Sequence, residues 1–421
     1  MKKKIIKDSI WVAFGQISSA IGTLIGIRLL TEFAPPDVFG SITLLLATAN
    51  LALGTLFTPV MQAALKFYPQ YKAENKQKSF RNTTFNLLVK RQLLLLLILT
   101  CAWPVLKYYQ LVGLENFILL IVLFTLDGIR TFETVLLNAS RRQQAYAFIS
   151  LAESWGRPLL AIVMIYQYGA NVQSVLLGYI SVSALVILFF YLLGQPEGQI
   201  KQQKTGVEQN LKRDIIKYSF PLLPLATVGW LSGVGDRYII AGILDMQQVG
   251  IYAAVYGLLN RPFMMLAGMV ELTIRPLYYQ AIAENQHAKA RKLLTKWLLL
   301  VFVAAVTGWV IIVVFKEFWI SLLLAKSYHT GVELMPWIAG GSVLLILSHV
   351  FEKVCYGYGR TGLILVIQTI GAIIGLTGAF LGVTYWGIIG AAIAVPIYFG
   401  VQLIISIIMA RVAMNSAEKT I

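Results

Sequence analysis

Acidic side chains are rare in this sequence. It holds 19 Asp and Glu against 35 Lys and Arg in 421 residues, and the four types together reach only 13%. A soluble domain carries about 25%. With 58% of its residues hydrophobic, the chain falls outside the water-soluble globular class. Cysteine is nearly absent: Cys101 and Cys355 each lie within or at the edge of an apolar run, which excludes a disulfide framework and argues against a metal site. The three histidines, His287, His329 and His349, have no partner at metal-ligand spacing, so neither metal nor cofactor is expected. The net charge of +16 suggests nucleic acid only when the basic residues share one soluble face. Here they fall in short polar breaks between apolar runs, and no nucleic-acid partner is expected.

The runs themselves are about 20 residues long, the length a helix needs to cross the hydrocarbon core. Twelve are read as spans, at about 9–30, 39–65, 92–109, 115–138, 145–168, 172–194, 218–243, 249–274, 293–315, 332–351, 361–382 and 387–410. The fold class is thus an all-α integral membrane protein of about twelve transmembrane helices. Lys2, Lys3 and Lys4 before the first run resemble the start of a signal peptide, but the stretch from Ser9 to Leu30 is too long for one and reads as a retained first helix. Basic residues near span ends are held on the cytoplasmic side. With the N-terminus inside, 27 Lys and Arg lie in the inner segments or at the span ends beside them, only Lys107, Lys316 and Lys326 lie on the outer side, and 5 lie deeper within spans. Both termini are therefore expected in the cytoplasm, with the basic segments beside anionic membrane lipids.

No connecting segment is long enough to fold as a separate domain, and no cluster of acids and histidines gathers at one face. A glycan polymerase or ligase would need such equipment, so no catalytic residues are assigned and an enzyme is not expected. Internal duplication is expected instead. An offset of 210 pairs Ser9 with Ser219, Gly40 with Gly250, Asn50 with Asn260, Tyr68 with Tyr278 and Gln70 with Gln280, and places Arg28 within one position of Arg237. The organisation read from this is an N-terminal six-helix bundle (1–194), a basic cytoplasmic connector (195–217) and a C-terminal six-helix bundle (218–421). Six spans per half put the pseudo-two-fold axis along the membrane normal, around a central cavity.

Charges inside spans cost about 2.5–3.5 kcal/mol each on insertion scales and call for a partner or a watery cavity. Asp127, Arg130 and Glu133 recur at i, i+3, i+6 in the fourth span, and Glu153 and Arg157 at i, i+4 in the fifth, which puts each set on one helix face. They either neutralise one another as ion pairs or leave Asp127 and Glu153, with Asp236 in the seventh span, as acceptors for a coupling proton or sodium ion. Arg157 precedes Pro158 and Arg261 precedes Pro262 near mid-span, where proline is expected to kink the helix. Positions i±3 and i±4 of Arg261 are Gly257, Leu258, Met264 and Met265, with no acid among them. Guanidinium groups offer planar paired donors that match phosphate oxygens. A cavity collecting Arg28, Arg157, Arg237 and Arg261 would suit a phosphate head group.

Several motifs carry a family resemblance. Lys217-Tyr-Ser-Phe-Pro-Leu-Leu-Pro224, Gly235-Asp-Arg-Tyr-Ile-Ile240 and Val249-Gly-Ile-Tyr-Ala-Ala254, with Pro35-Pro-Asp-Val-Phe-Gly40 as a first-half counterpart, resemble the bacterial polysaccharide transporters, the Wzx-like O-antigen flippases. The resemblance implies the fold of the multidrug/oligosaccharidyl-lipid/polysaccharide exporter superfamily. It implies movement of an undecaprenyl-pyrophosphate-linked oligosaccharide to the outer leaflet of the bacterial cytoplasmic membrane. It also implies a pyrophosphate site at Arg28, Arg237 and Arg261, and a glycan polymerase as a candidate partner. The rival reading within the superfamily is a cation-coupled multidrug exporter, whose cavity should be acidic; the rival outside it is the polymerase or ligase.

Overall fold

A computed structural model describes residues 2–108, 113–192 and 207–418. Among these residues there is no strand. Nine helices among the described residues are long and apolar enough to cross a membrane, one of them, Thr361–Asn415, long enough to do so twice. Two further helices, Leu114–Ala139 and Leu222–Ile243, carry buried charges that lower their hydropathy. Together these give the twelve spans expected of an all-α membrane protein. The chain divides into two compact units, residues 1–34 with 42–227 and residues 35–41 with 228–421.

The first unit contains α1 (Lys2–Phe33), α2 (Pro36–Ala52, from Ile42 onward), α3 (Thr58–Ala73), α4 (Gln77–Tyr108), α5 (Leu114–Ala139), α6 (Gln143–Tyr168), α7 (Val172–Leu192) and α8 (Val207–Ser219). In lipid, helices associate by close backbone approach at small residues. Gly22 and Gly26 of α1 face the Trp155 ring and Pro158 of α6, and Gly178 of α7 lies against the Ala161 backbone. The Trp155 indole N–H donates to the Ser18 carbonyl at 3.2 Å, so this aromatic fixes α1 to α6. Between α2 and α3 the backbone makes one π turn, Leu53–Phe57, just before Pro59. Arg91 of α4 donates to the Leu56 carbonyl in that turn at 2.7 Å.

Residues 195–206 of the expected connector lie outside the described residues. Its remainder is α8, which shows Lys212, Arg213 and Lys217 to the exterior and buries Leu211 and Ile215, one turn apart, with Val60, Met61, Tyr68 and Phe80. Burying each such side chain contributes about 1.5–3 kcal/mol.

The second unit contains α9 (Leu222–Ile243, from Val228 onward), α10 (Met246–Ala283), α11 (His287–Val314), α12 (Lys316–Leu323), α13 (Met335–Gly357) and α14 (Thr361–Glu418), with a 3-10 segment at Lys326–Leu334. At Gly387, with φ 59° and ψ −146°, α14 turns back on itself. Gly382 and Gly390 then pack backbone to backbone across the hairpin.

The duplication is written into the backbone. The Pro36–Ala73 segment and α10 are each 38 residues long, and both end in the same turn. Glu74 has φ −87° and ψ 6°, and Glu284 has φ −88° and ψ 7°. The next residues, Asn75 and Asn285, have φ 54° and 55°, the left-handed conformation that asparagine tolerates. Lys76 N–H then bonds Tyr71 O, and Gln286 N–H bonds Ala281 O, both at 2.8 Å. The triplets Ala73-Glu74-Asn75 and Ala283-Glu284-Asn285 are a further pair at offset 210. The repeat-related Pro36 and Met246 and Gly40 and Gly250 also meet, each glycine against the other segment's carbonyl. Helices α6 and α10 carry Pro158 and Pro262 inside continuous helical stretches.

Candidate functional site

In the first unit the in-span charges form a network that crosses helices. One oxygen of Asp127 accepts from the Arg157 guanidinium at 2.6 Å, the Ser183 hydroxyl at 2.6 Å and Arg130 Nε at 3.2 Å. Arg130 also bonds Glu153, and Arg81 of α4 forks onto both oxygens of Glu133. The helical spacing of Glu153 and Arg157 suggests a pair on one helix; instead each turns to α5, Glu153 to Arg130 and Arg157 to Asp127. The Arg157 guanidinium also lies over the Tyr179 ring at 5.3 Å, and its Nε is buried without a hydrogen-bond acceptor. Arg28 is half-exposed and paired with Glu32 one turn on.

In the second unit, Asp236 and Arg237 are both 7% exposed, yet they do not form a side-chain pair. One Asp236 oxygen accepts the Tyr252 hydroxyl at 2.6 Å, and the other accepts the Arg237 backbone N–H at 2.8 Å. The Arg237 guanidinium stacks over Tyr256 at 5.0 Å and reaches the Gly233 carbonyl at 3.4 Å, while its Nε is buried with no acceptor. Arginine has five donors, and most of those on this buried group are uncommitted. Arg261 is exposed on α10. The four arginines are divided two and two, Arg28 and Arg157 in the first unit and Arg237 and Arg261 in the second.

Two cavities within the units are apolar. One of about 230 Å³ lies among Phe57, Phe85, Gln92 and Phe132, and one of about 420 Å³ among Ile373, Thr377, Trp386 and Ile397 of α14. None of the four arginines lines either. Two polar features are not legible in the sequence. Arg81 supplies the partner of Glu133 from a position that reads as an inner loop. Glu352, which follows the expected end of the tenth span, is carried by α13 into a buried position, 6% exposed, where Gln368 and Gln402 donate to it at 2.7 and 3.3 Å. The only sequence signal for it is a pair of glutamines within the last two spans.

A helical membrane protein of this design has the fold of known exporters and flippases. It aligns with a lipid II flippase, MurJ, in an inward closed conformation at TM-score 0.70 and 13% identity, covering 96% of this chain and 87% of that one. It aligns with an inward-facing multidrug-resistance MATE transporter at TM-score 0.69 and 13% identity, covering 98% and 96%. The amylovoran biosynthesis protein AmsL of Erwinia amylovora is 20% identical over 270 residues, which is 63% of this chain and 68% of that protein. The family model described as polysaccharide biosynthesis protein matches residues 28–333. The chain belongs to that family, whose members are the polysaccharide transporters it resembles in sequence.

Proposed function

We propose that this protein is a flippase that moves an undecaprenyl-pyrophosphate-linked oligosaccharide, an O-antigen or other surface-polysaccharide unit, from the inner to the outer leaflet of the bacterial cytoplasmic membrane by alternating access. The observation that carries the reading is Arg237, a buried guanidinium held by an aromatic face and one long hydrogen bond, with donors to spare. A buried cation calls for a counter-charge, and a phosphate presents oxygens in the geometry a guanidinium fits. The family description, the likeness to a lipid II flippase and the relative in amylovoran biosynthesis favour a lipid-linked glycan over a drug. A multidrug exporter of the same fold remains the second reading, and the cationic character of Arg237 counts against it.

In this reading Arg28, Arg157, Arg237 and Arg261 hold the pyrophosphate, and Asp127, Glu153 and Asp236 are the candidates for a coupling proton or sodium ion. Residues 1–194 and 218–421 are the two bundles, 195–217 the cytoplasmic connector, both termini are cytoplasmic, and a glycan polymerase receives the product. The test is transfer of a labelled polyprenyl-pyrophosphate glycan between leaflets of proteoliposomes. Arg237→Ala and Arg261→Ala should each abolish or greatly reduce transfer in protein that still folds and inserts, while the lysine variants keep part of it. Full transfer in Arg237→Ala overturns the site, and strand elongation without transfer would replace the flippase by an enzyme.

A further inference from the structure

Glu352 stands apart from the charged network of the first unit. Asp127 is held by two guanidinium groups, whereas Glu352 has only amides: Gln368 Nε2 at 2.7 Å and Gln402 Nε2 at 3.3 Å, both onto Oε1. Among the described residues no cation lies within ion-pair distance of it. Its helix α13 brings Lys353, but that ammonium is turned to Glu271 of α10 at 3.4 Å and lies over the Tyr356 ring. The other titratable groups near it on α13 are His349, Cys355 and Tyr356. Helix α10 presents Glu271, already bonded by Arg275; α14 presents the two glutamines; and α11 brings no charged group within hydrogen-bond reach. An ionised carboxylate in such a place is costly, so it demands either a cation or neutralisation.

Two buried polar atoms beside it lack partners. Gln402, 1% exposed, leaves its Oε1 without a donor, and Ser348, one turn before Glu352 and fully buried, leaves its hydroxyl unbonded. Buried polar groups without partners are rare and ask for a reason. A proton on Glu352 supplies one. After the Gln402 amide turns over, a neutral carboxyl carrying its proton on Oε1 can donate to Gln402 Oε1, while Gln368 still donates to that same Oε1. The ionised form uses both amide N–H groups. A metal cation fits worse, because the carboxylate oxygen already faces two N–H donors.

We propose that Glu352, with Gln368, Gln402 and Ser348, is a proton-binding site of the second unit, whose carboxyl exchanges a proton with bulk water and whose hydrogen bonds to both arms of α14 change as it does so. The proton site needs no particular substrate; its use to drive transport rests on the flippase reading.

The test is infrared difference spectroscopy of the full-length protein in liposomes between acidic and alkaline buffer. Wild type should show a carboxyl C=O band that vanishes on alkalinisation, and Glu352→Gln should lose that band. Gln402→Leu, which removes the orphan acceptor, should shift its frequency, so the assignment survives even if Glu352→Gln proves poorly folded. A difference spectrum identical in wild type and Glu352→Gln overturns the proposal, as does a band that responds to sodium at fixed pH. Transfer of the polyprenyl-linked glycan should accelerate under a pH gradient in wild type and lose that dependence in Glu352→Gln. If the band behaves as expected and no glycan moves, the proton site stands and the flippase reading falls.

Discussion

Replacing Gly250 by alanine tests the crossing of the two repeat-related segments. A Cβ at that position would sit 1.8 Å from the Pro36 carbonyl oxygen, whereas ordinary contact begins at 3.4 Å, so the backbones must part by about 1.6 Å. The obstacle is backbone and cannot turn aside as a side chain would. Overpacking costs about 1–3 kcal/mol, here toward the upper end, and the better helix propensity of alanine returns about 1 kcal/mol. The net expectation is a loss of about 1–2 kcal/mol, or roughly 2–4 °C of melting temperature per kcal/mol for a unit of this size. Gly268 lies on the same helix α10 with nothing within 4 Å of the place a Cβ would take, so Gly268→Ala should be neutral or stabilising. Thermal unfolding of the two purified variants, read by tryptophan fluorescence in one detergent, decides the matter. Equal melting temperatures would refute the argument that this crossing depends on glycine.

Asp127→Asn removes the charge shared by Arg130, Arg157 and Ser183; because it leaves buried guanidinium groups short of a carboxylate, a loss of about 3–5 kcal/mol is expected, read as lower melting temperature and yield. Glu32→Gln, which opens the half-exposed pair with Arg28, should cost about 0–1 kcal/mol in the same assay. Gly387 holds φ 59° and ψ −146°, a region open almost only to glycine, so Gly387→Ala should cost about 1–3 kcal/mol and loosen the α14 hairpin, as limited proteolysis near that turn would register. Reporters fused at the equivalent turns near 75 and 285 should both read cytoplasmic, and one near 246 external; opposite signals at 75 and 285 would sink the parallel duplication.

The spans are legible in the sequence because length and hydropathy are local properties of a chain. Their ends are not. The tenth is expected to stop at residue 351, but α13 runs to Gly357, since a helix packed against protein continues past the point where its sequence turns polar. The repeat is legible at glycine and tyrosine positions, while its most faithful copy, the Asn75 and Asn285 turns, stays hidden because Ala-Glu-Asn is an ordinary triplet until the left-handed φ is seen. Proline chemistry leads to an expectation of kinks at Pro158 and Pro262, and both prolines lie inside continuous helices; lipid-embedded helices tolerate a missing N–H where neighbours satisfy the freed carbonyl.

For the charged residues, spacing reveals which side chains share a helix face but not what faces them. Asp127 with Arg130 and Glu153 with Arg157 look alike on a helical projection, yet the structure pairs the first set along one helix and divides the second across two. The difference matters for an anion. Arg157 can bond a phosphate strongly only by giving up its buried carboxylate, which would be left with Arg130 and Ser183 alone, so the exchange offsets much of what it gains. Arg237 gives up nothing of the kind, because the adjacent Asp236 is already occupied by Tyr252 and a backbone N–H. An anionic ligand therefore has most to gain from the second unit, at an arginine that the sequence marks by its repeat position and motif but whose uncommitted donors only the structure reveals.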